Sequence, residues 1–185
     1  MLDFSAVAAA FCLFIIYDIN SVVFRKKVLQ PLFFTGCLLL AFATGYGMLI
    51  SVRAFQPSLL RVCVCGAPAL ACMGLLVHTL FFAIPFSSTY VEQRSETDKP
   101  KVCKCGVYGL CRHPGVLCLA GLCICLACMV PTVRMAALCA AICLLNVLYA
   151  WFQDVWTFPR TFCDYAQYRQ EVSFLLPGIK RTDSK

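Results

Sequence analysis

Three residues of the cassette Gly106-Val-Tyr-Gly-Leu-Cys-Arg-His-Pro114 carry chemistry: Tyr108, Arg112 and His113. The most charged segment of the chain, 92–104, precedes the cassette, and an almost unbroken apolar stretch, 115–152, follows it. A phenol, a guanidinium and an imidazole are thereby held where water meets lipid. Such a group is a poor fold-building device and a plausible reaction site for a molecule that is itself half in the membrane. If 116–130 and 133–152 form a hairpin, Asp154 returns to the surface that carries Arg112 and His113. Tyr90, Gln93, Asp98, Lys101, Tyr165, Tyr168 and Arg169 collect on the same side. The competing reading is an interfacial belt of aromatic and arginine side chains that anchors the helices.

The elements that must position these residues follow from composition. Of 185 residues 61% are hydrophobic and 14% charged, which excludes an ordinary soluble domain. Runs near 20 apolar residues span a hydrocarbon layer of ~30 Å. Five such runs predict spans at 7–23, 32–52, 62–86, 116–130 and 133–152, the fourth short and turning at Pro131. Lipid offers the backbone no hydrogen-bond partner, so the spans must be helical. The expected fold is an all-α integral membrane protein of about five transmembrane helices with a C-terminal hairpin, one domain over 1–185. Site segments are expected at 87–115 and 153–185. The start, Met1-Leu-Asp-Phe4, lacks the basic residues of a signal peptide, so the first run reads as a spanning helix. Pro114 suits the first turn of the fourth helix, where its missing N–H is no loss.

Basic residues set the orientation. The loop at 25–27, the segment with residues 94, 99, 101, 104 and 112, and the tail with 160, 169, 180, 181 and 185 hold 13 of the 16 lysines and arginines. Arg53, Arg61 and Arg134 fall on the other side. The basic regions are therefore expected to be cytosolic, the N-terminus lumenal and the C-terminus cytosolic. The positive excess is a topology signal and calls for no nucleic-acid partner. Most of the 15 cysteines lie in apolar helices, where cysteine acts as a small hydrophobe. Cys111 with His113 lacks the second ligand pair of a structural zinc site, so no metal is expected. Intramembrane ionisable residues are few: Asp18, Arg61 and His78. A transporter or proton relay needs several such groups on one path.

The order of residues around the cassette resembles the isoprenylcysteine carboxyl methyltransferases, integral membrane enzymes with the pattern G-V-Y-x-x-x-R-H-P-x-Y-x-G. Gly106-Val-Tyr108 and Arg112-His-Pro114 match it, and Gln93 stands thirteen residues before Gly106, where the family carries a Gln. In the tail, Phe162, Tyr165, Tyr168, Val172 and Pro177 follow the family's order with one residue missing. The resemblance covers about 89–179, half of the chain. Val116 and Cys118 replace a family Tyr and Gly. Asp154 falls on the family's cofactor-contacting Glu if the tail is anchored on Phe162, and Gln153 does if it is anchored on Tyr165. Ala150 or Tyr149 stands where the family keeps a substrate-binding Arg.

The resemblance implies a methyltransferase of the endoplasmic reticulum membrane. It would use S-adenosyl-L-methionine to methylate the C-terminal prenylcysteine carboxylate of CaaX-type proteins, its partners besides the lipid bilayer. It implies catalytic roles for Arg112, His113 and Asp154, and cofactor contacts from Gln93, Lys101, Val102, Cys103, Tyr108, His113, Pro114, Gly115, Val116 and Asp154. Two other readings stand beside it. One is a non-catalytic membrane paralogue of the family; the other is a phospholipid N-methyltransferase or sterol reductase of the same superfamily.

Overall fold

The computed structural model describes residues 1–81, 99–104 and 106–176. Helices make up the regular structure, and no strand occurs among the described residues. They are α1 (Leu2–Ile19), α2 (Leu32–Ala54), α3 (Leu59–Phe81), α4 (Pro114–Met129), α5 (Val133–Phe152), and the short α6 (Phe158–Thr161) and α7 (Tyr165–Glu171). α1 and α5 each widen at their C-terminal end into a π-helical turn, Asn20–Phe24 and Gln153–Thr157.

Among the described residues four helices are long and apolar enough to cross a membrane: α1, α2, α3 and α5. The chain is accordingly a multi-pass membrane protein. α4 has 16 residues, about 24 Å at 1.5 Å per residue, and falls short of a full ~30 Å crossing. Its start is set by Pro114 at the first turn, with His113 outside the helix at φ −126°. Its end is set by Pro131. Thr132 then caps α5 by accepting the Met135 N–H at 3.2 Å. The hairpin is therefore three residues long, and its two arms pack on each other.

The span boundaries shift at several ends. α1 begins at Leu2 rather than at residue 7, because the charge of Asp3 is paired internally. α2 runs two residues past 52, α3 begins three residues before 62, and α4 begins two residues before 116. Residues 82–86 of the third predicted span lie outside the described residues.

α1 packs on α2 and α5, α5 on α4, and α4 on α3. The core lies where α1, α2 and α5 meet, around Val7, Phe11, Ala43, Met135, Leu138 and Ile142. Gly47 of α2 admits this contact: a Cβ there would lie 2.3 Å from Leu138 Cδ2. At one end of the bundle Arg134 Nη2 donates to both oxygens of the fully buried Asp3, at 2.8 and 2.7 Å. At the opposite end Asp18 of α1 meets Gln153 and Thr157, and Phe81 of α3 meets Phe33 and Phe34 at the start of α2. The loop after α1, the cassette and the segment after α5 thus share one end of the bundle.

Candidate functional site

The π turn that extends α5 carries Asp154 into the interior, where only 2% of its surface is exposed. Four groups converge on this carboxylate. Tyr165 donates its hydroxyl to Oδ1 at 2.6 Å, Arg112 Nε stands 3.0 Å from the same oxygen, and His113 Nε2 stands 3.6 Å away. Arg169 Nε lies 3.4 Å from Oδ2. The Nε–H of Arg112 and the Nε2 of His113 are both buried and complete no hydrogen bond, so their contacts with Asp154 are those of an ion pair and of a near neighbour. Among the described residues one carboxylate faces two guanidiniums, a surplus of positive charge. Arg112 is buried and Arg169 half exposed.

Local structure explains how these side chains are held. Arg112 and His113 sit in the two residues before Pro114, where the chain is not yet helical and can turn both inward. Arg112 donates its backbone N–H to Ser173 O at 3.0 Å and Nη1 to Arg169 O at 2.8 Å. His113 is stacked on Phe158 at 5.7 Å, with Phe174 edge-on at 4.9 Å. Phe174 also lies 5.8 Å from the Arg112 guanidinium, within cation–π range. Tyr165 and Tyr168, three apart on α7, share one face of that short helix.

A second layer fastens the cassette to the tail. Tyr168 donates to Tyr108 O at 2.6 Å, and Tyr108 donates its own hydroxyl to Thr79 O of α3 at 2.9 Å. Burial, helped by the neighbouring thiols, pushes the Tyr108 phenol up to about 12. Burial also pushes Tyr165 up, reinforced by the Asp154 carboxylate, and raises Tyr168. All three phenols therefore stay neutral donors at ordinary pH. Burial likewise raises the Cys111 thiol.

The structure brings Arg112, His113 and Asp154 into one cluster. Tyr108 lies beside it, engaged with Thr79 and Tyr168. Lys101 is exposed and Cys103 half-buried. Val102 N–H donates to Asp164 Oδ1 at 2.8 Å and Cys163 N–H to Pro100 O at 3.2 Å, which ties the 100–102 strip to the start of α7. Pro114 and Val116 are buried in the first turn of α4, and Gly115 faces Thr79 and Leu76 of α3. Gln93 lies outside the described residues. Of the two candidates at the end of α5, Asp154 faces the cassette while Gln153 turns to Asp18.

The sequence placed Arg169 only on the shared face, and Tyr165 both there and in the tail pattern of the resemblance, with no role for either at Asp154. Phe158, Asp164, Ser173 and Phe174 carried no signal. The visible pointer was the place of Tyr165 and Tyr168 in that tail pattern. Compared with known protein families, curated proteins and solved structures, the chain matches none.

Proposed function

We propose that this protein is an S-adenosyl-L-methionine-dependent methyltransferase acting on the C-terminal carboxylate of prenylated, trimmed CaaX proteins. In this reading the chain crosses the endoplasmic reticulum membrane five times, with the N-terminus lumenal and the C-terminus and site cytosolic. The observation that carries it is the convergence of Arg112, His113 and Asp154 at one end of an apolar bundle. Asp154 lies 41 residues after His113, in a chain whose order resembles that family.

The donor set fits a carboxylate-bearing ligand. Arg112 Nε and His113 Nε2 are buried and complete no hydrogen bond, and among the described residues the cluster holds one cation more than it has anions. Both the amino-acid end of the cofactor and a prenylcysteine present such a carboxylate. When bound, the cofactor supplies an electrophilic sulfonium methyl group. The acceptor carboxylate, with a reference pKa of ~3.5, is already ionised near neutrality, so the protein need supply no general base. Arg112 would hold a carboxylate by a charge-assisted contact. His113 and Tyr108 would frame the cofactor together with Gln93, the 101–103 strip and the first turn of α4 (Pro114, Gly115 and Val116). Asp154 would face its cationic end while keeping Arg112 and His113 aimed. Phe158 and Phe174, packed against His113, would help to exclude water.

A second reading has its own observation. Asp154 is already engaged by partners within the protein, and the tail from Ser173 lies over Arg112. Such a cluster can serve as a latch that fastens the tail to the bundle of a non-catalytic membrane protein. Purified protein in nanodiscs, given labelled S-adenosyl-L-methionine with a farnesylcysteine analogue or with phosphatidylethanolamine, separates the readings. Label in the prenylcysteine ester supports the proposal, and label in the phospholipid moves the activity to the wider superfamily. Absence of cofactor binding and of transfer leaves the latch. Replacing His113 by Ala should weaken cofactor binding by roughly five- to hundredfold, the loss of one polar contact worth ~1–3 kcal/mol.

A further inference from the structure

Asp18 lies in α1, outside the half of the chain that resembles the methyltransferases, and is 4% exposed. Its Oδ2 accepts from Gln153 Nε2 at 3.0 Å and from Thr157 Oγ1 at 3.3 Å. These are the first and last residues of the π turn that extends α5. Each sits next in sequence to a residue at His113. Gln153 precedes Asp154, whose Oδ1 is 3.6 Å from the imidazole, and Thr157 precedes Phe158, whose ring stacks on it.

Among the described residues no cationic group pairs with Asp18. A buried carboxyl without a counter-ion is costly, and an aliphatic residue would pack the α1–α5 contact more cheaply. What the carboxyl provides, and an aliphatic residue cannot, is one acceptor that grips both ends of the turn. A π turn departs from the 3.6-residue register, so the rotation of the side chains it bears is not set by the helix alone.

We propose that Asp18 is a positioning residue: it fixes the rotation of the 153–157 turn, and thereby the placement of Asp154 and Phe158 against His113 and Arg112. The inference rests on the methyltransferase reading only for its effect on rate. Its geometric content is independent of that reading. Gln153 is held a second time, by donating to Tyr149 Oη at 2.9 Å, which keeps its amide nitrogen directed at Asp18.

The chain has two histidines, so ring-15N labelling of the protein in nanodiscs yields two imidazole signal sets, each of Nδ1 and Nε2, with His78 of α3 as the internal control. Asp18→Ala should move the His113 signal and leave that of His78 in place, and should lower the methyl-transfer rate roughly ten- to hundredfold. Asp18→Asn keeps an acceptor oxygen of the same reach and should restore the His113 signal and most of the rate. A folded Asp18→Ala protein with an unmoved His113 signal overturns the proposal. So does an Asp18→Asn protein that behaves like Asp18→Ala, because a packing or charge role would then be sufficient. If Asp18→Ala does not fold, Thr157→Val decides: a smaller displacement of the His113 signal upholds the proposal and none refutes it. Should the wild-type protein transfer no methyl group, the proposed function falls, and the His113 signal still decides the role of Asp18.

Discussion

Removing the charges of Asp154 and Arg112 together should cost less than the sum of removing each alone. The Arg112 and Asp154 side chains are 8% and 3% exposed, and their nearest atoms are 3.0 Å apart. At an effective dielectric constant of ~20, two unit charges at that distance attract by about 5 kcal/mol before desolvation is counted. Replacing Asp154 by Leu leaves the Arg112 guanidinium buried without its anion, a loss of ~3–5 kcal/mol. Replacing Arg112 by Met is milder, about 2–3 kcal/mol, because Asp154 keeps the Tyr165 hydroxyl and the half-exposed Arg169. The double variant buries neither charge, so the two costs should fail to add by ~2–3 kcal/mol. Arg112 also donates to Arg169 O, which keeps the coupling below the gross attraction. The assay is reversible unfolding in mixed micelles, followed by the fluorescence of Trp151 and Trp156, the two tryptophans of the chain, which flank the site. Costs that add to within ~0.5 kcal/mol would refute the reasoning, since two buried charges in contact cannot be energetically independent.

Four further outcomes can be measured. Tyr165→Phe removes the 2.6 Å donor to Asp154 and should lower stability by about 1.5–3 kcal/mol, read from the same unfolding curves. The Tyr108 phenol is raised from 10.0 to about 12 in the folded protein. Its contribution is therefore fully present below pH 10 and lost as pH rises towards 12, so Tyr108→Phe should flatten the fall in stability across that window. Gly47→Ala drives a methyl group into the fully buried Leu138 and should destabilise by ~1–3 kcal/mol. Gly45→Ala meets nothing within 4 Å and should be neutral or slightly stabilising, so equal effects at the two positions would sink the close-packing account. On sealed microsomes a membrane-impermeant thiol reagent should label the exposed Cys163, and a glycosylation acceptor placed in the 53–61 loop should be modified; the reverse pattern inverts the orientation.

Much of this architecture is local, and what is local was legible in the sequence. Hydropathy finds the long helices because, in lipid, an apolar run and an internally bonded backbone are the same requirement. The bounds of α5, Val133 to Phe152, coincide with the predicted span 133–152, because Pro131 stops one helix and Thr132 caps the next. The same three-residue turn made the return of residue 154 to the level of residue 112 foreseeable.

The tertiary structure alone decided what depends on helix rotation and on pairing between distant segments. A hydropathy window reads Asp3 as an edge of the first span, yet it is fully buried because Arg134, 131 positions later, neutralises it. Sequence favoured Asp154 and kept Gln153 as the residue of the competing register. The π turn points one towards Asp18 and the other towards Arg112, through a rotation that no residue pattern encodes. Tyr165, Phe158 and Phe174 join the site through the path of the tail across the end of the bundle, and that path is set by hydrogen bonds such as Arg112 N–H to Ser173 O. Periodicity fixes which residues share a helix face. Which faces meet is fixed by packing and by charges that must find one another once water is gone.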